Sequence, residues 1–234
     1  MHPSFKSQPD GALAKFHETG YFIEPLVFSA AECDQIIKAG MELPGIKSGD
    51  RRPAMHPHRQ SAIFLGVLRD ARIVNIMRLL LGGKPNGLQT EFFYGTPGVK
   101  GFSKHQDNFF VEAPADAFAS AWIALVDVTP QKGCLVGYPG SHNEGRLPVH
   151  KLELGPIAGQ DPNANNEESV LPAGYQELDL PVAKGSIVFL HSHFVHGSRA
   201  NVTNDFRYAL LCTYIREGSH FRPGQYAKRE AVAL

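Results

Sequence analysis

Residues 186–215 read SIVFLHSHFVHGSRANVTNDFRYALLCTYI. Two apolar, β-branched and aromatic runs, 186–190 and 207–215, flank a stretch rich in Gly, Ser, Asn, Thr and Asp. Runs of this kind bounded by turn chemistry read as strands. The first run ends in three histidines, His191, His193 and His196. In a regular strand His191 and His193 share one face, and His196 lies on the other with Ser192 and Phe194. A histidine at a strand end can be held rigidly while facing an open mouth.

The same grammar extends back to residue 87. Short apolar runs recur at 88–94, 120–128, 133–140 and 175–180, broken by Gly, Pro, Asn and Asp. This predicts an all-β core of the sandwich, barrel or jelly-roll type. Upstream the pattern is helical. DGALAKFHETG (10–20) ends on Gly20, a C-cap residue, and SAAECDQIIKAG (29–40) starts with Ser29 and Glu32 in capping-box spacing and is expected to stop at Gly40. DARIVNIMRLLLGG (70–83) puts Ile73, Ile76, Met77 and Leu80 on one face. YFIEPLVF (21–28) reads as a strand. The expected organisation is a single domain over 1–234. In it, 1–86 form mainly helical support, 87–220 form the core, and the polar, proline-bearing stretch 144–174 is a candidate lid, since long loops in compact domains are usually functional or disordered.

The 234 residues contain 23 Lys+Arg and 23 Asp+Glu, a formal net charge of zero. Nucleic-acid binders normally carry a basic excess, so no nucleic-acid partner is expected. The local basic cluster KSGDRRPAMHPHR (47–59) reads as a solvated loop or as a surface for an anionic group. No apolar run approaches a membrane span. Three widely spaced cysteines form no C-x-x-C pattern and suit a reducing compartment; the expected location is cytoplasmic, with no membrane association and no obligate protein partner.

His105 and Asp107 stand two apart in GFSKHQDNFFVEAP (101–114). Most such triplets are ordinary polar turns. On a β scaffold, however, a histidine from 191–196 would complete a set of two imidazoles and one carboxylate, the facial trio of non-haem Fe(II) oxygenases, which leaves three positions open. Zinc accepts the same ligands with a water or a fourth ligand. Arg207 lies eleven residues past His196 at the start of the next strand, and Ser198 two past it. The guanidinium either grips a carboxylate bidentately, with the Ser198 hydroxyl beside it, or makes a surface ion pair with Asp205 or Glu217.

With these residues in view, the chain resembles the phytanoyl-CoA dioxygenase family of Fe(II)/2-oxoglutarate oxygenases. FHETGYFIEP (16–25), HQDN (105–108), GCLVGYPGSH (133–142) and HGSRANVTNDFRYAL (196–210) carry the likeness, in order and with about ninety residues between the two metal histidines. The resemblance implies a double-stranded β-helix core, jelly-roll and cupin-like. It implies His105, Asp107 and His196 as iron ligands, Arg207 and Ser198 on the distal carboxylate of 2-oxoglutarate, and Trp122 and Gln89 on the co-substrate cavity. It also implies O2 as oxidant and hydroxylation of a small molecule with release of succinate and CO2. Asn108, Phe110, Arg51 and Arg146 are the candidates for meeting substrate. Where many members have a Lys-Pro pair, this chain has Thr96-Pro97, and Arg51 or Arg52 is the candidate substitute. The rival readings are a zinc hydrolase and a non-catalytic metal-binding jelly roll; keto-acid-dependent O2 consumption separates the three.

Overall fold

A computed structural model describes residues 4–47, 53–152 and 167–234. In chain order the elements are α1 (Pro9–Thr19), β1 (Tyr21–Glu24), α2 (Ala30–Met41), α3 (Pro44–Lys47), β2 (Ala54–Met55), α4 (Ala62–Leu68) and α5 (Ala71–Leu80). There follow β3 (Pro85–Gly95), α6 (Asn108–Val111), β4 (Phe118–Ala124), β5 (Leu135–Gly137), β6 (Val149–Lys151) and β7 (Glu167–Ser169). The chain continues with β8 (Leu178–Leu180), β9 (Ile187–His191), β10 (His196–Ser198) and β11 (Arg207–Arg216).

A six-stranded sheet in the order β1-β9-β4-β11-β3-β2 faces a three-stranded sheet, β10-β5-β8. All pairings are antiparallel. The core is the jelly-roll, double-stranded β-helix type. β4 shows why its sequence is unbrokenly apolar: both of its faces are buried. Ala119, Ala121 and Ile123 join Phe189, Leu210, Cys212 and Tyr214 against the helices. Trp122 and Ala124 point the other way, with Val188, Leu190, Leu135 and Phe194 between the sheets.

The helices form where their caps predict. Ser29 Oγ accepts from Glu32 N at 3.3 Å, and the Glu32 carboxylate accepts from Ser29 N at 2.7 Å. Gly20 ends α1 in the left-handed region, φ 83°, donating to Phe16 O. Gly40 does not stop α2, which runs to Met41. Its role is clearance: a Cβ there would sit 2.3 Å from the Phe92 ring, so the missing side chain lets α2 lie against the large sheet.

Other expectations need correction. The division at residue 86 is not clean, because β1 pairs with β9 and β2 with β3, so N-terminal residues belong to the core sheet. The strand expected over 21–28 stops at Glu24, before Pro25 and a left-handed Leu26 (φ 51°). α4 had no counterpart in the sequence reading. Within 144–174, β6 and β7 pair as a two-stranded ribbon, so the ends of that stretch are ordered and adjacent. Residues 153–166 lie outside the described residues. The cluster 47–59 is no solvated loop where it is described: Pro57 and His58 are buried.

Candidate metal centre

The run 186–196 is not one strand. β9 ends at His191, and residues 192–195 turn before β10 resumes at His196. This break, which regular alternation misses, swings His196 onto the neighbourhood of the 101–107 segment. There the two segments zip together: His105 N donates to His196 O at 2.8 Å, His196 N to His105 O at 3.0 Å, and Ser198 N to Phe102 O at 3.0 Å. The backbone pairing therefore fixes both imidazoles side by side.

His105 Nδ1 lies 2.8 Å from Ser103 O, and His196 Nδ1 3.0 Å from Phe194 O. Each ring donates from Nδ1 to a carbonyl two residues upstream, which commits the lone pair to Nε2. Both Nε2 atoms stand 3.6 Å from Asp107 Oδ1. One donor atom from each of the three residues falls within 4.8 Å of the others, the only such group among the described residues.

Charge follows geometry. Burial would raise the Asp107 carboxyl, but the two imidazoles and the Ser120 hydroxyl outweigh it and hold it well below the usual range. Burial and the neighbouring His105 push His196 down to about 4. Burial would lower His105, but the Asp107 carboxylate outweighs it and raises it, so a cation arriving at the trio competes with a proton there.

A cavity of about 960 Å³ opens from this trio. Paired strands give its wall a ladder: Arg207 opposite Gly95, Leu211 between Trp122 and Glu91, and Thr213 between Ser120 and Gln89. Arg207 is buried, with burial pulling it down to about 10. Among the described residues it makes no surface ion pair: Asp205 goes to Lys132, and Glu217 to Lys84. One terminal nitrogen of Arg207 donates to Gly133 O at 2.7 Å, while its Nε is buried without a partner. Ser198, which also lines the cavity, accepts from Phe102 N at 2.9 Å, leaving its hydroxyl proton to donate elsewhere. A buried cation with an orphaned donor, next to a hydroxyl donor, fits a carboxylate. The three-donor metal set and this anion pocket together fit iron with a keto diacid.

Of the other expected residues, Trp122, Gln89 and Phe110 line the cavity. Asn108 does not. It is buried and ties α6 down, with its amide bonded to Ala113 N and O at 2.8 and 2.9 Å and to His193 Nε2 at 3.0 Å. Its neighbour Gln106 also turns away from the trio and bonds Gly145 O, His193 O and Leu147 N. Arg146 pairs with Glu112 at 3.1 Å and lies over Phe109, outside the cavity lining. Arg51 and Arg52 lie outside the described residues.

Several residues of the site escaped the sequence reading: Ser120, which belongs to it through its bond to Asp107, and others that line the cavity. Ser120 and Glu91 were legible in principle, since Ser120-x-Trp122 and Gln89-x-Glu91-x-Phe93 alternate on strands. Tyr226, Ala227 and Arg229 were not legible. They come from a C-terminal segment without periodicity that returns over the mouth, held by His56 to Ala227 O, Arg59 to Lys228 O and the Gly87–Val232 bridge.

The family model described as "Phytanoyl-CoA dioxygenase (PhyH)" matches residues 16–209. "Phytanoyl-CoA dioxygenase domain-containing protein 1" of Danio rerio is 31% identical over 159 residues, covering 64% of this chain and 52% of the relative, so the match spans about half of that protein. Its Rattus norvegicus counterpart is 27% identical over 237 residues, covering 95% and 77%. Among solved structures, the non-heme alpha ketoglutarate dependent epimerase SnoN matches with TM-score 0.75 at 21% identity, covering 93% of this chain and 87% of that one. EctD from S. alaskensis, solved with 2-oxoglutarate and 5-hydroxyectoine, matches at 0.67 and 21%, covering 87% and 74%. A family match over most of the chain, on a fold shared with iron- and 2-oxoglutarate-dependent enzymes, makes this protein a member of the phytanoyl-CoA dioxygenase family.

Proposed function

We propose that the protein is an Fe(II)/2-oxoglutarate-dependent oxygenase that hydroxylates a small molecule. The observation that carries this reading is the pairing of two Nε2-presenting histidines on one Asp107 oxygen with a buried, carboxylate-free Arg207 in the same cavity. His105, Asp107 and His196 would hold the metal, and Arg207 with Ser198 would hold the distal carboxylate of 2-oxoglutarate. When bound, the iron supplies O2 activation coupled to conversion of 2-oxoglutarate to succinate and CO2, with one oxygen atom going to a substrate C–H bond.

The chain's own residues do the rest. Trp122, Leu135 and Phe93 line the cavity and keep water from the co-substrate. Ser120 orients the Asp107 carboxylate. With a metal held, that carboxylate would take the position chloride needs in a halogenating enzyme, so the expected product carries a C–O and not a C–Cl bond. A zinc hydrolase has no use for the orphaned Arg207 Nε. Glu167 reaches the cavity, and Ser103 Oγ donates to its carbonyl at 3.2 Å, so the β6–β7 base of the candidate lid is tied beside the trio. The part of that lid in 153–166 lies outside the described residues. A cytoplasmic site of action suits the three reduced cysteines, all buried; among the described residues no helix is long and apolar enough to cross a membrane.

The test is succinate release from purified protein with Fe(II), 2-oxoglutarate, O2 and a panel of metabolites. Release that needs all three and vanishes in Asp107→Ala supports the reading. Substrate turnover without the keto acid sinks it, and a chlorinated product in chloride buffer sinks the hydroxylation.

A further inference from the structure

We infer that the β3 side of the cavity is a zwitterion subsite, in which Glu91, with Gln89 and Thr213, takes a protonated amine and Arg229 takes an acid group of the same small molecule. This rests on the reading above, because it names the substrate class of that same site.

The placement comes from the strand order. The metal trio meets the wall at β4, where Ser120 bonds Asp107. The co-substrate pocket lies at the Arg207 end of β11. Glu91 and Gln89 lie on β3, across β11 from β4, with Leu211 and Thr213 between. Arg207 and Thr213 are six residues apart on one strand, ~20 Å. A keto diacid held at Arg207 and the trio therefore leaves the β3 flank open.

That flank is polar in a way the fold does not require. Gln89 Oε1, Thr213 Oγ1 and Arg229 Nε are all buried without a partner. The Glu91 carboxylate is bonded by the Gln89 amide. Arg229 is 8% exposed and donates only to carbonyls: Phe110 O at 3.0 Å, and Arg222 O and Pro223 O at 3.4 and 3.5 Å. Both residues line the cavity, and among the described residues they feel each other's charge without an ion-pair contact within 4.0 Å. Burial and the Asp107 charge push the Glu91 carboxyl up to about 7 while Arg229 pulls it down, and burial lowers the Arg229 guanidinium, so each ionic form is held at a cost. A ligand that carries both signs and spans the gap offsets both. Met55, Val111, Phe110 and Phe118 supply apolar wall for the carbons between. Among the described residues a polyphosphate finds one cation on this flank, and a neutral acyl chain would leave both ionisable groups and three polar atoms unmet.

The experiment uses the whole chain, loaded without O2 with Fe(II) and 2-oxoglutarate. The visible charge-transfer absorption of a keto acid chelated to ferrous iron reports that the trio and co-substrate are in place. Calorimetry then measures binding of α- and ω-amino acids and aminoalkylphosphonates, beside their N-acetyl derivatives and the matching amino alcohols. The expected result is at least one zwitterion binding tenfold or more above both of its singly charged analogues. Glu91→Gln, which keeps shape, should weaken that zwitterion about tenfold to a hundredfold and remove its advantage over the N-acetyl acid. Arg229→Gln should remove its advantage over the amino alcohol. Zwitterions binding no better than their analogues, or unchanged selectivity in Glu91→Gln, overturns the inference even when the absorption forms. If the absorption never forms, the iron and keto-acid reading fails instead, and the same titrations on metal-free protein decide the subsite by the same criterion.

Discussion

Ser120 donates its hydroxyl proton to Asp107 Oδ2 across 2.5 Å. This splits the carboxylate: Oδ2 is tied to β4, while Oδ1 is left toward the two imidazoles at 3.6 Å. A ligand arriving on a short turn is thereby oriented by the rigid sheet.

Ser120→Ala should therefore lower metal affinity without unfolding the protein. Removing a group that orients a metal ligand typically costs about tenfold to a hundredfold in affinity. Anaerobic Fe(II) titration checks this, with the thermal midpoint of metal-free protein as control. Wild-type affinity in the variant would mean that Asp107 is positioned by the backbone zipper alone.

Arg207→Ala should raise the apparent KM for 2-oxoglutarate about tenfold to a hundredfold, the usual cost of losing a charge-assisted hydrogen bond. The Gly133 carbonyl loses its donor too, worth about 1 kcal/mol of stability. Arg207→Lys should recover only part of the affinity, because it keeps the charge and loses the fork. An unchanged KM in both variants would place the co-substrate anchor elsewhere in the cavity.

These two residues also show what the sequence could and could not say. Arg207 was a candidate from its place at the start of the strand after His196, but spacing alone left a surface ion pair equally open, and the two strands lie in different sheets, so the anchoring role came from the family resemblance. Ser120 lay in plain view on an apolar strand, but a serine in a β run has no signal until its neighbour in space is known. The helices α1, α2 and α5 were legible from caps and apolar spacing, and the strands from apolar runs bounded by turn residues. The break at 192–195 and the inward turn of Asn108 were not, because tertiary hydrogen bonds decide them. The roof over the cavity, residues 221–230, has neither period nor motif.

Gly101 offers a sharper stability test. A Cβ there would lie 1.8 Å from the Ser198 carbonyl oxygen, which is backbone and cannot step aside. Gly101 begins the segment that zips against β10 and delivers His105. Gly101→Ala should cost about 1–3 kcal/mol as an overpacked site. It should also cost metal binding, since the strain falls on the pairing that holds both histidines. Gly66, with nothing within 4 Å of its Cβ position and a place inside α4, is the control. Gly66→Ala should gain about 0.5–1 kcal/mol. Chemical denaturation of both variants, with iron binding alongside, tests the contrast; equal effects at the two glycines would contradict the packing described.

The C-terminal segment ties the mouth together. Arg222 donates to Phe109 O at 2.9 Å and Phe110 O at 3.3 Å, and Arg229 donates to Phe110 O at 3.0 Å. Those carbonyls belong to α6, the short helix that follows Asp107. Val232 exchanges hydrogen bonds with Gly87 at 2.8 and 2.9 Å, and Arg69 donates to Ala233 O at 3.2 Å. None of these contacts reaches Arg207, Ser198 or the two histidines. Deleting 221–234 should therefore leave the iron and 2-oxoglutarate sites loaded, and substrate-independent succinate release near its full value. Substrate-stimulated release should fall at least tenfold, because the deletion removes Arg229, Ala227 and Tyr226 from the cavity wall. Both rates can be read from one succinate assay run with and without substrate. A deletion that spares the stimulated rate would show that the segment is a fastening and not part of the substrate site. A loss of both rates together, with the ferrous keto-acid absorption also gone, would show that α6 needs this clamp to hold Asp107.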